Sequence, residues 1–393
     1  MSGSGLSTAW RALAAAAPFA LVPVAAEAED RRKLELGLSH VMDGLAVVDG
    51  GLEQGGALLH KFDLTADWAS GAFEAHLDLQ YVAGDEPSAE LIGDAQVVSN
   101  IEAPEALRIL EAWGAWGLAG GKAGVKTGLI DLNAEFDVQD VGLVFLNSSH
   151  GVGPDLSQTG LNGPSIFPNT SLAVSGFATF GERWTVRAGV FDGVPGDPDD
   201  PTRTLIRLSG EEGALLIAEV EHRFNERAKL KLGGWAYTAE FDAIEDLAPD
   251  GSPARLGSNR GAYALVEGRL WSEAADPEQG LDAWIRVGLA NAAINPVDVY
   301  VGGGAVYAGV LRDDDQLGLA IGHASFGGPA RRALGLEGGE TVAELTYALP
   351  VAGTVVVQPD LQYVWNPGGD PTIPNALVVG VRFSWSLAAG LLN

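Results

Sequence analysis

Cysteine is missing from all 393 residues. That rules out a disulfide scaffold and thiolate metal sites. Basic residues are scarce, with Lys and Arg totalling 24 against 52 Asp and Glu and a formal charge of −28. No basic stripe exists to neutralise phosphates, which excludes a nucleic-acid partner. Long apolar runs are scarce as well. The longest, Ala12 to Ala26, follows the basic Arg11 and ends at Ala26-Glu27-Ala28, an A-x-A-like cleavage site. It is short for a membrane-spanning helix, so 1–28 is read as a signal peptide and 29–393 as the mature domain. Without another such run, a mature chain that enters a membrane must do so as a barrel.

Enzyme signatures are absent too. The His residues at 40, 60, 76, 150, 222 and 323 lack metal-ligand spacing. His150 lies beside Ser148 and Ser149, but no third residue is placed to make a triad. Gly302-Gly303-Gly304 has no helix after it and is not a phosphate loop. No catalytic residue, metal or cofactor is expected. Asp197, Asp199, Asp200, Glu211, Glu212, Glu245 and Asp246 read as solvated loop acids.

What the chain does have is alternation. In GAFEAHLDLQY (71–81), Phe73, Ala75, Leu77, Leu79 and Tyr81 share one face, while Glu74, His76, Asp78 and Gln80 share the other. A period of two puts successive side chains on opposite faces of a strand. Sixteen such segments are expected. The first eight are 32–41, 56–67, 71–82, 107–118, 122–131, 170–180, 183–192 and 214–224. The rest are 227–239, 260–271, 281–291, 297–310, 315–324, 340–350, 353–365 and 375–387. Short turns alternate with mostly longer connections, among them 42–55, 83–106, 132–169, 193–213 and 240–259. An even number of strands with short turns at one rim and long loops at the other describes an all-β outer-membrane antiparallel barrel. At this size such barrels leave a water-filled lumen.

The stretch 129–170, LIDLNAEFDVQDVGLVFLNSSHGVGPDLSQTGLNGPSIFPNT, is too long for an idle loop and too apolar for disorder. Leu143, Val144, Phe145, Leu146, Leu156, Leu161, Ile166 and Phe167 need something to pack against. The stretch is expected to fold back into the lumen and narrow it.

The runs FLNSSHGVGPDLSQTGLNGPSIFPNTSL (145–172), GLIDLNAEF (128–136) and QPDLQYVWNPGG…IPNALVVGVRFSW (358–385) resemble the carbohydrate-selective porins of the OprB type. The similarity spans about 112–385. It implies passive diffusion of small sugars across the Gram-negative outer membrane. The residues alone say only pore, and a general or anion-leaning porin stays open beside the sugar reading. A closed barrel serving as an adhesin or anchor is a further alternative. The implied partners are outer-membrane lipid, lipopolysaccharide and the barrel assembly machinery, and a homo-oligomer is allowed. The chain departs from the family in ending eight residues beyond Trp385 rather than on a terminal aromatic.

Parity places Arg187, Lys229, Lys231, Trp235, Tyr237, Tyr263, Glu267, Arg269, Trp284, Arg286 and Arg382 on the lumen face. Indole and phenol rings stack on the C–H face of a pyranose, and charged groups bond its hydroxyls strongly. Arg187, Trp235, Tyr237, Tyr263, Arg269, Trp284, Arg286 and Arg382 are therefore the candidate sugar contacts on the wall. Asn147, Asp155, Gln158 and Asn162 are the candidates in the inward loop.

Overall fold

The computed structural model describes residues 33–200 and 202–390, so the signal peptide expected over 1–28 lies outside the described residues. The first nine strands are β1 (Lys33–Asp49), β2 (Gly55–Ser70), β3 (Phe73–Gly84), β4 (Ala106–Leu118), β5 (Ala123–Ile130), β6 (Ser171–Phe180), β7 (Trp184–Asp192), β8 (Ala214–Asn225) and β9 (Ala228–Tyr237). A small hairpin follows, β10 (Phe241–Leu247) with β11 (Pro253–Leu256). The wall resumes with β12 (Arg260–Ser272), β13 (Gly280–Ala290), β14 (Val297–Ala308), β15 (Gln316–Phe326), β16 (Gly339–Ala352), β17 (Val355–Trp365) and β18 (Ala376–Gly390). All but the hairpin close into one antiparallel barrel in which β9 pairs with β12 and β18 pairs with β1.

The alternation in the sequence becomes the two faces of the wall. On β13, Ile285 is 58 % exposed and Val287 38 %, while Trp284 and Arg286, which alternate with them, are 2 % and 0 % exposed. Leu319, Ile321, Leu232, Val190 and Leu216 continue the exposed apolar belt on other strands. In lipid every backbone group must be paired internally, and a closed ladder with no edge meets that demand. At the short-turn rim, Trp68, Phe73 and Trp116 cluster on the outer face with ring centroids 5.6 and 4.8 Å apart. Aromatic girdles of this kind mark the membrane interface. The turns between β2 and β3 and between β6 and β7 need a left-handed residue, met by Gly71 (φ 59°) and Gly181 (φ 64°).

Several boundaries differ from those expected. The segment 32–41 is only the first half of β1, and the loop expected over 42–55 shrinks to 50–54. Asp43-Gly44 looks like a turn, but Asp43 faces inward and is held by the Arg382 guanidinium at 2.7 Å. The residues after Trp385 are wall, since β18 runs to Gly390 paired with β1. The loop expected over 240–259 carries the β10–β11 hairpin, and a helix, Gly328–Leu334, lies in the β15–β16 connection. Arg332 joins these outer-rim elements through Glu245 at 2.6 and 2.8 Å.

Replacing Val287 by Arg places a cation on the lipid face at a cost of about 2–4 kcal/mol near the midplane. The expected result is a fall in the fraction of protein that migrates faster on gels unheated than boiled. Unimpaired assembly would show that the two faces of β13 are exchanged.

Candidate functional site

The connection from β5 to β6, residues 131–170, lies inside the barrel, and its contacts trace a path along the inner wall. On the outbound leg Glu135 bonds Lys126 of β5 at 2.7 Å, and the Asp137 amide donates to Glu219 of β8 at 2.9 Å. Lys231 of β9 donates to the Val138 carbonyl at 2.7 Å. The amides of Asp140 and Val141 donate to Glu267 of β12 at 3.2 and 2.9 Å. Those of Leu146 and Asn147 donate to Glu344 of β16 at 2.6 and 3.0 Å. Gln358 of β17 donates to the Val144 carbonyl at 2.6 Å, the far point of the sweep. On the return, Tyr300 of β14 donates to the Ser149 carbonyl at 2.9 Å, and Thr159 meets Tyr237 of β9 at 3.2 Å. Ser165 closes the circuit on the Ile130 carbonyl of β5 at 2.7 Å.

Arg286 joins the two legs. Its Nε and Nη2 donate to Asp137 at 2.7–2.9 Å, and its Nη1 donates to Asp155 at 2.5 Å. All three side chains are fully buried. The Tyr263 and Tyr300 rings flank the guanidinium, each centroid 5.5 Å away. Asp137 takes a left-handed φ of 57°, uncommon for a residue with a Cβ and held here by bonds on both its amide and its carboxylate. Close approach matters too. A Cβ on Gly288 would collide with the Asp155 carboxylate, and one on Gly153 with the Arg286 guanidinium. Apolar anchors complete the seat: Leu132, Phe136 and Leu156 pack with Phe191, Leu215, Ile217, Trp235, Tyr237 and Tyr263. Val144 and Phe145 pack with Leu265 and Trp284. His150 is fully buried, and desolvation holds its pKa down to about 3, so it is a neutral packing group beside Phe145 and Trp284.

A second loop enters the lumen, which parity of the strands could not foresee. In 85–105 the amides of Ala95 and Gln96 donate to Glu340 of β16 at 2.7 and 2.9 Å. Ser99 donates to Asp43, and Asn100 accepts from Arg382 at 2.8 Å. The two loops bond each other through Ser148 N to Val97 O at 2.9 Å and Asn100 N to Leu146 O at 2.7 Å.

A family model described as carbohydrate-selective porin, OprB family, matches residues 60–387. The chain belongs to this family. Porin B of Pseudomonas aeruginosa is 28% identical over 236 residues, 52% of this chain and 52% of that protein, so the match spans about half the length of that curated relative. The high-pH structure of Pseudomonas putida OprB overlays with a TM-score of 0.80 at 20% identity, covering 91% of this chain and 95% of that one. The outer membrane channel DcaP of Acinetobacter baumannii overlays at 0.57 and 10% identity, covering 92% and 99%. Likeness at those identities bears on the fold, a closed porin barrel.

In this porin the candidate wall residues all face inward, but the expectation that they offer free surface to a solute needs correction for several. Trp235, Tyr237, Tyr263 and Trp284 are 2–4 % exposed and Arg286 is 0 % exposed, because the inward loop lies on top of them. Arg269 is drawn to the short-turn rim, bonding Asp282 at 2.8 Å and the Gln279 carbonyl at 3.0 Å. Arg382 serves Asp43, and Arg187 lies 3.5–3.6 Å from Glu219 and Glu221. In the loop, Asn147 is buried against Gln362 and Asp155 against Arg286. Gln158 remains exposed while bonding the Ala95 carbonyl, and Asn162 reaches the Pro195 carbonyl at 2.6 Å. Asp137, Glu219, Glu344, Gln358 and Gln362 were not among the candidates. The last four had a signal, a polar residue at an inward position of a strand, whereas Asp137 lies in the loop, where no period marks it.

Arg286→Ala leaves Asp137 and Asp155 buried without their cation, at a cost of about 3–5 kcal/mol. The expected outcome is a barrel that still assembles but melts its inner loop, seen as a noisier and larger single-channel current. Arg286→Lys keeps one charge but cannot fork to both carboxylates, so its current lies between the two. A quiet, wild-type current from Arg286→Ala would remove the residue from this role.

Proposed function

We propose that this porin sits in the outer membrane and passes small sugars by unassisted diffusion, with the 131–170 loop setting the size limit. The observation that carries the reading is the seating of that loop across the inner wall from β5 to β17 by buried polar bonds. A barrel of this size is wide by itself, and a filter for small solutes needs matter inside it. Membership in a carbohydrate-selective family supplies the solute class. The anion-leaning alternative is weakened because Arg187, Lys229, Arg269, Arg286 and Arg382 are each paired with carboxylates. Of the candidate contacts, Gln158 is exposed, Asn162, Arg187, Arg269 and Arg382 are half-buried, and the others are buried. Lipid and lipopolysaccharide meet the apolar outer belt, and the assembly machinery inserts the barrel.

Deleting 151–163 removes Asp155 and Leu156 and with them one leg of the seat. Liposome swelling should then extend from monosaccharides to larger oligosaccharides, with higher single-channel conductance. Unchanged size exclusion in a correctly folded deletion would assign the filter to the 85–105 loop. A wild-type protein that conducts nothing would favour an anchor or adhesin instead.

A further inference from the structure

We infer that a solute crossing the pore is held by a hydroxyl track on the inner face of β18, β1 and β2, and that this track takes polyols as a class, open-chain alditols as readily as ring sugars. The inference rests on the reading of the chain as a sugar pore and adds to it the place and the mode of contact.

The track begins where the fastenings of the two inward loops end. The 131–170 loop bonds the wall as far as Gln358 and Gln362 of β17, and the 85–105 loop bonds β18 and β1 at Arg382 and Asp43. On the short-turn side of that bridge the inward positions include Ser384 and Ser386 on β18, Ser39 on β1 and Thr65 on β2, each partly exposed. Ser39 lies opposite Ser386 in the β1–β18 register, and Val41, two residues on, lies opposite Ser384. Side chains directly opposite on antiparallel strands stand about 5 Å apart, so one hexose spans them. Gly37 brings Thr65 into the same row, because a Cβ there would fall on the Thr65 hydroxyl, which lies over β1. Asn100, exposed and bonded to Arg382 at 2.8 Å, stands at the upper end.

A hydroxyl both donates and accepts, so a row of them exchanges bonds to water for bonds to a polyol at little cost. The charges beside the row are closed on one another. Asp63 accepts from Lys61 at 3.0 Å, from Ser39 at 3.0 Å and from Gln80 at 2.9 Å. The inner face of β7, β8 and β9 is different. Arg187, Arg223 and Lys229 there lie 2.8–3.6 Å from Glu219, Glu221 and Glu267, and ion pairs give up their water reluctantly. The track also carries no ring. Trp235, Tyr237, Tyr263 and Trp284 are buried under the loop, and Trp113 has the Lys126 ammonium 4.0 Å from its centroid and the His76 ring at 5.2 Å. Contact by hydroxyls alone gives a pyranose no advantage over an open chain with the same groups. Conduction requires weak, repeated sites of this kind.

Block of the ion current by added polyol, through the full-length barrel in a planar bilayer, gives the test. Glucose and sorbitol should reach half-block at matching concentrations. Thr65→Val and Ser384→Ala should each raise both concentrations several-fold while the unheated gel mobility stays that of the folded barrel, and either variant alone decides the matter where the other does not fold. Thr185→Val removes an inner hydroxyl on β7, outside the track, and should leave half-block at the wild-type concentration. Block confined to glucose, a wild-type block in a folded track variant, or an equal loss in Thr185→Val overturns the inference. A barrel that conducts ions and swells liposomes in glucose yet shows no block overturns it too, and leaves the pore reading standing. A barrel that passes neither ions nor glucose overturns the pore reading itself.

Discussion

A stretch of irregular backbone inside a barrel carries amides that neither lipid nor a ladder can satisfy, and each one left bare costs free energy. Inward glutamates carry that burden here. Glu267 takes the consecutive amides of Asp140 and Val141, Glu344 those of Leu146 and Asn147, and Glu340 those of Ala95 and Gln96. Each is a single carboxylate gripping neighbouring amides with its two oxygens. Each carboxyl thereby satisfies two buried amides that would otherwise be bare, which suits groups that must hold a loop against solvent. The course of the loops through the lumen follows from where these glutamates stand on the wall.

Arg286 then acts as a keystone for a shape those glutamates only outline. It faces both legs of the 131–170 loop at once, on a strand whose Gly288 leaves room for Asp155. Apolar residues fill the remaining volume, so the loop is held by burial as well as by charge. The 85–105 loop leans on the same assembly through Asn100 and Ser148. The two loops share anchors on β16 through Glu340 and Glu344.

Strand existence and facing were legible because the period of two is a local property. Leu281 to Leu289 showed it plainly, and β13 has the expected faces. The inward course of the 131–170 loop was legible from apolar residues with nowhere else to go. Two things were not. The continuation of β1 through Asp43-Gly44 depends on Arg382, which lies 339 positions away. The work of the inward aromatic and basic residues was also hidden, because parity says which way a side chain points and nothing about what comes to cover it. Trp284 and Arg286 face the lumen as parity requires, and the loop that buries them is fixed by partners on other strands.

The seam between β1 and β18 joins the two ends of the described wall. Its Asp43–Arg382 bridge is touched from within by Ser99 and Asn100 of the 85–105 loop. The plug therefore reads whether the cylinder has been sealed, because its partners Arg382, Gln362 and Glu340 come within reach only when the last strand meets the first. Contacts so distant along the chain are slow to form, since loop-closure entropy is lost before they can repay it. The inner lining is thus completed late, when a curved open sheet becomes a tube. An unsealed intermediate would be leaky rather than merely unfinished.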